Sequence, residues 1–115
     1  MSIEYLGEKV FLQESKDAAQ VWVLRGTHKN IYAMELDKTG FSLPVWSSEE
    51  KAADFVKNAR PIGQKYKPEA VPLGVFSQTW LSDQSMAIAE LQINPDGKST
   101  RVLVITKEEF WSIQA

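Results

Sequence analysis

Apolar residues recur along this chain at two different spacings, and the switches between them predict the order of elements. Over residues 2–15, Ile3, Leu6 and Val10 fall on one helical face with Phe11 at its border, and Ser2 can serve as N-cap. Gly7 lies inside that helix and weakens it by about 1 kcal/mol relative to alanine. Residues 20–25 are β-branched and aromatic and predict a strand. A polar turn at residues 26–30 leads to a second strand over residues 31–36, so the two are expected to form a hairpin. Gly40 can take the positive φ of a following turn. Phe41, Leu43 and Val45 then alternate at period two, with Pro44 assigning this strand to an edge or a strand end.

The second helix carries the clearest signal. Ser47 or Ser48 caps it, Ser47 stands three residues before Glu50 as in a capping box, and Ala52, Phe55, Val56 and Ala59 form one apolar stripe. Pro61 ends it with Gly63 in the exit, and residues 62–71 read as a loop. Pro72 opens a third helix with Leu73, Phe76 and Trp80 on one face. Residues 86–93 alternate as a strand, Asn94-Pro95-Asp96-Gly97 is a turn, and residues 101–105 are apolar on both faces, as expected of a strand inside a sheet. Thr106 and Glu109 again have capping-box spacing and start a short last helix through Phe110, Trp111 and Ile113. The expected architecture is a single α+β domain over residues 1–115, with a mainly antiparallel sheet of about 4–5 strands, 3–4 helices and the order α-β-β-(β)-α-α-β-β-α.

Val21-Trp22-Val23-Leu24, Gly40, Pro44-Val45-Trp46, Ala52 and Ala53 with Phe55, Pro72-Leu73, Phe76 and Trp80-Leu81 together resemble the bacterial domain-of-unknown-function 2750 family, over most of the chain. The resemblance implies a small stand-alone α+β domain and supplies no activity, cofactor or catalytic residue.

Composition narrows the classes. The net charge of −2 gives no whole-molecule attraction to nucleic acid or anionic membrane. Cysteine is absent, which removes disulfides, thiolate metal sites and thiol nucleophiles and fits a reducing cytoplasm. The amino terminus lacks the basic and apolar regions of a signal peptide, and no apolar run approaches the ~20 residues that span a bilayer. A cytoplasmic protein without cofactors, either a monomer or a homodimer, is expected. A second copy could pair along residues 41–45, because a free strand edge templates pairing.

Candidate chemistry is sparse. His28 is the only histidine, there is no Gly-x-Ser-x-Gly elbow, and Asp37, Asp83 and Asp96 lie in separate turns, so neither a catalytic triad nor a metal site is expected. Glu49 and Glu50 complement the start of the second helix, and beside Trp46 one of them is a candidate general acid or base. Arg60, Lys65 and Lys67, with Lys57 before them and Tyr66 among them, form a basic stretch able to meet an anion, or a nucleic acid if Tyr66 stacks on a base. No nucleic-acid-binding motif accompanies it. Trp22 and Trp80 fit core packing; Trp46 at a strand–helix junction fits packing first and is also a candidate contact residue, as is Trp111 near the carboxyl end. The reading these features favour is a non-enzymatic binding or interaction module for an unknown protein partner. Its expected surface is Trp46, Glu49 and Glu50 with the basic residues Arg60, Lys65 and Lys67 and with Tyr66. The alternatives are a small carboxylate enzyme near Trp46 and weak anion or nucleic-acid binding through residues 57–67.

Overall fold

A computed structural model of the chain describes residues 3–27, 30–36, 40–59, 65–83, 86–98 and 102–114, with side chains for all of these except 3–8, 113 and 114. The predicted Ser2 cap, the side chains of Ile3, Leu6 and Ile113, His28, Asp37, Arg60, Pro61, Gly63 and Arg101 lie outside the described residues.

Helix α1 (Ile3–Ala18) leads into β1 (Gln20–Gly26), followed by β2 (Met34–Leu36), β3 (Gly40–Val45), α2 (Glu49–Asn58), β4 (Tyr66–Pro72), α3 (Leu73–Val75), β5 (Ile88–Ile93), β6 (Leu103–Thr106) and α4 (Lys107–Gln114). A π-helical segment, Phe76–Trp80, continues α3. The class is α+β and mostly antiparallel, as expected, with the strands divided between two sheets. One contains β1 and β4, and the other has the order β2-β3-β5-β6 with β3 and β5 parallel. The chain matches β1 to Trp46 at the end of β3 through reciprocal backbone hydrogen bonds, Trp22 N–H to Trp46 O at 2.8 Å and Trp46 N–H to Trp22 O at 2.9 Å.

Several expectations are corrected. Residues 20–25 and 31–36 do not form a two-strand ladder. β1 runs antiparallel to β4 from Gln20↔Pro72 to Gly26↔Tyr66, and β2 pairs with β3. Only the reversal survives, in the Arg25↔Ile31 bridge and the hydrogen bonds Gly26 N–H to Asn30 O and Tyr32 N–H to Leu24 O. Part of the segment expected to be a loop, residues 62–71, is therefore strand β4. Lys65 accepts from Thr27 N–H, and Leu73 N–H donates to Ala19 O, so odd-numbered residues of β4 bond to β1 and even-numbered ones face away. Pro68 and Pro72 occupy outward positions, where a missing N–H costs no ladder bond and blunts the edge.

β3 lies between β2 and β5, so it is neither the expected edge strand nor a free edge for a second copy, and Pro44 is accommodated at its end. Ser42 pairs with Met34 and Trp46 with Trp22 on the same side of the chain, and Pro44 falls between them, beyond the end of the β2 ladder. The apolar strand β6 lies at the sheet edge instead of inside it, and Val104 is 43% exposed. In α1, Phe11 is fully buried and Val10 is 47% exposed, so the buried face is centred on Phe11 and Ser15, one position round from the expected stripe.

The main core lies between one face of the four-stranded sheet (Leu43, Val45, Leu91, Ile93, Ile105) and the side chains of Phe11, Val21, Val23, Val71, Phe76, Leu81 and Phe110. A smaller cluster of Leu24, Trp46, Ala52 and Phe55 joins α2 to β1, with Val56 and Ala59 against it as the stripe predicted. Local caps are formed largely as read. Thr106 Oγ1 accepts from Glu109 N–H at 3.0 Å, and Glu109 Oε1 accepts from Thr106 N–H at 3.1 Å. At α2 the cap is Ser48, whose hydroxyl accepts from Lys51 N–H at 3.2 Å.

Ser47, buried, has a different task. Its N–H donates to Asn94 Oδ1 at 2.9 Å and its hydroxyl donates to Glu14 Oε1, which also accepts from Lys51 Nζ at 2.6 Å. This clamp joins α1 to the start of α2. The hydrogen bond from Lys51, then that from Ser47, holds the Glu14 carboxyl below its ordinary pKa against a smaller opposing effect of burial. A carboxylate with a depressed folded-state pKa stabilises the fold above its unfolded pKa, about 4.3, and loses that contribution as pH falls through the lower folded value. Glu14→Gln should therefore lower the urea midpoint at pH 7 slightly, corresponding to a stability loss below about 1 kcal/mol for a pair this exposed. The gap from wild type should close at a pH below both pKa values. Parallel midpoint curves across that range would show that the clamp is not electrostatic.

Candidate functional site

The carboxyl end of β1 and the amino end of β4 enclose a groove of about 330 Å³ lined by residues 25–27 and 65–69. Its shape depends on Gly26. A Cβ there would lie 2.3 Å from Asn30 Oδ1 and 3.0 Å from Tyr66 Cε1, so Gly26 leaves the room in which Asn30 and Tyr66 sit over the strand end, and a larger residue would push the Asn30 side chain aside. Asn30 Nδ2 then donates to the Tyr66 hydroxyl at 2.9 Å.

Tyr66 is supported from inside the molecule by a run of aromatic rings. Its ring meets Tyr32 edge-on at 5.4 Å between centroids, Tyr32 meets Phe55 at 5.9 Å, and Phe55 meets Trp46 at 5.1 Å. Burial pushes the Tyr32 hydroxyl above its ordinary pKa, with nearby Tyr66 adding to the effect, so Tyr32 stays neutral at physiological pH.

The electrostatics are one-sided. Arg25 Nε and Nη2 both donate to Glu69 Oε2, at 2.9 and 2.6 Å, which neutralises the carboxylate and fixes the guanidinium. Lys67 stands opposite Arg25 in the ladder. Lys65 and Lys67 are exposed and have no acidic partner among the described residues. Three cations against one carboxylate leave a net charge of two positive on the groove wall.

The sequence-predicted contact residues therefore separate. Lys65, Tyr66 and Lys67 do come together in this groove. Trp46 is fully buried, and its indole N–H donates to Pro95 O at 2.8 Å, so it is a core residue and presents no ring edge to a ligand. Glu49 and Glu50 are exposed in the first turn of α2, outside the walls of the groove that includes Lys51, Asp54 and Asp96. With Trp46 sealed in the core, no apolar pocket encloses either carboxylate as the acid–base reading required. Trp111 is half-buried and donates from Nε1 to Ser77 O at 2.9 Å, tying α4 to the π-helical segment. Among the described residues no three His, Cys, Asp or Glu side chains gather as metal ligands, and no helix is long and apolar enough to cross a membrane. Sequence reasoning placed Lys65 and Lys67 in a loop and so missed the pairing with β1 that sets Lys67 opposite Arg25 and brings Glu69 within reach of Arg25. The alternation of Tyr66, Pro68, Ala70 and Pro72 with Lys67, Glu69 and Val71 was the available signal.

The fold and groove thus define a small α+β domain with a cationic, aromatic-backed cleft at one sheet end. The chain belongs to the family described as protein of unknown function (DUF2750), whose model matches residues 9–112. The family resemblance read from the sequence is thereby shown. No curated protein matches the chain. Among solved structures it is similar in fold to Anabaena Tic22, described as a protein of protein transport, with a TM-score of 0.53 and 18% identity. That match covers 81% of this chain and 46% of the other, so this chain spans a little under half of that structure.

Proposed function

We propose that this protein is a non-enzymatic binding module, cytoplasmic as the lack of cysteine suggests, whose groove between β1 and β4 takes a small anion. The observation that carries this reading is the pair of exposed lysines, Lys65 and Lys67, beside an Arg25 that Glu69 already orients. An anion entering the groove meets Lys65 and Lys67, which have no acidic partner among the described residues, without breaking the Arg25–Glu69 pair. A nucleic acid fits less well, since the groove is short and the chain as a whole is negative. The acid–base alternative has weaker support because Glu69, the carboxylate in the groove wall, is held by Arg25.

Titrating the labelled protein with acetate or inorganic phosphate at low salt should shift backbone amide resonances at residues 25–27, 65–67 and 69. The double variant Lys65→Glu, Lys67→Glu should weaken that binding at least ten-fold without altering the fold. Raising the salt to 0.1 M or above should weaken it as well, because the Debye length falls to about 10 Å. Shifts spread evenly over all surface lysines, or none at all, would remove the reading.

A further inference from the structure

We infer that the anion is amphipathic, with a head on Lys67 beside the Arg25–Glu69 pair and a short apolar chain that enters a neighbouring cavity; the inference rests on the anion-binding reading above. The cavity, of about 150 Å³, is walled by Ile31, Ala33, Phe41, Leu43, Met86 and Ile88. All six side chains are apolar, so a water placed there would lack the two to four polar partners it needs. Leu43 and Ile88 belong to the buried core, while Phe41 is 36% exposed at the sheet end.

The two spaces are adjacent through one residue pair. Arg25 lines the cationic groove, Ile31 lines the apolar cavity, and the two are partners in an antiparallel bridge. Directly opposed residues in such a pair project to the same face, with Cβ atoms about 4.5–5.5 Å apart. A head held on Lys67, which stands opposite Arg25, therefore lies one side chain away from the apolar wall. An inorganic anion would use the groove and leave the cavity unfilled. A neutral hydrocarbon would fill the cavity and leave the lysines unpaired. A single-chain anionic amphiphile satisfies both, and each methylene it buries is worth roughly four-fold in affinity.

The test compares octanoate, acetate and octanol by calorimetry and amide shifts at low salt, with octanoate below its micelle concentration. Octanoate is expected to bind at least ten-fold more tightly than acetate and than octanol. Its methylene protons should show intermolecular nuclear Overhauser effects to Phe41 and Met86 in the wild-type protein. Ala33→Phe, which fills the cavity from a half-buried wall position, should abolish the advantage over acetate and leave acetate binding intact. Lys67→Glu should weaken both carboxylates. Equal binding of octanoate and acetate would overturn the amphiphile and leave the anion site standing, whereas no binding of either would overturn both. Octanol binding as well as octanoate, or Overhauser contacts elsewhere on the protein, would also overturn the inference. The wild-type contacts decide it even if Ala33→Phe fails to fold.

Discussion

Replacing Trp46 with alanine is expected to lower the unfolding free energy by about 3–5 kcal/mol, the usual cost of deleting a buried aromatic side chain. Trp46 is completely buried among Leu24, Ala52 and Phe55, so its removal opens a cavity where α2 meets β1. Its indole N–H also satisfies Pro95 O, and losing that bond adds to the loss if the carbonyl stays dry. The backbone bonds to Trp22 would remain, which limits the damage to packing. Against a total stability of about 5–15 kcal/mol for a domain of this kind, that loss is between about a fifth and the whole of it. Glu50→Ala, a change on the exposed first turn of α2, should stay within about 0.5 kcal/mol. Urea unfolding at 25 °C measures both. A Trp46→Ala change below 1 kcal/mol would contradict a core role and return that residue to the surface.

Gly40→Ala should cost about 2–4 kcal/mol for a different reason. Gly40 has φ +111°, and a Cβ built on it would lie 2.1 Å from the carbonyl oxygen of Ala87. The positive φ alone costs about 1–3 kcal/mol for a residue with a side chain. The clash falls on backbone and cannot be relieved by a rotamer change, and that same oxygen accepts from Phe41 N–H at 2.7 Å. The strands β3 and β5 would have to separate where their register already shifts, between Phe41 and Ser42. Alongside the fall in urea midpoint, hydrogen exchange should show faster exchange of the Phe41 amide than of amides in β1. Unchanged protection at Phe41 would show that the strand start absorbs the side chain. Because Phe41, Leu43 and Ile88 wall the apolar cavity, the same variant should also weaken octanoate more than acetate.

Both variants involve residues that the sequence marked, and they show how far its local signals reach. Gly40 was legible as a turn glycine because the need for positive φ is a property of one residue. Trp46 was legible as the end of a strand before a helix, with packing favoured over contact, but the residues that bury it were not legible. What encloses it is Leu24 of β1 and Phe55 of α2, and its N–H partner lies 49 residues away in Pro95. The candidate site divides in the same way. Lys65, Tyr66 and Lys67 stood out as a cationic stretch with an aromatic residue, whereas Glu69 becomes the counter-charge of Arg25 across 44 residues only when β1 and β4 pair.

From sequence alone followed the α+β class, the family, α2 with its stripe, the capping box of Thr106 and Glu109, and the turn at residues 94–97. Each depends on residues within a few positions of one another, where periodicity and side-chain chemistry act directly on the local backbone. Tertiary structure decided the β1–β4 pairing, the parallel β3–β5 contact, the edge position of β6, the burial of Trp46 and the joining of a cationic groove to an apolar cavity. Those outcomes depend on which distant strand satisfies each backbone edge. The prolines of β4 show why this is hidden locally: Pro68 breaks a ladder if its missing N–H faces β1 and costs nothing if it faces away.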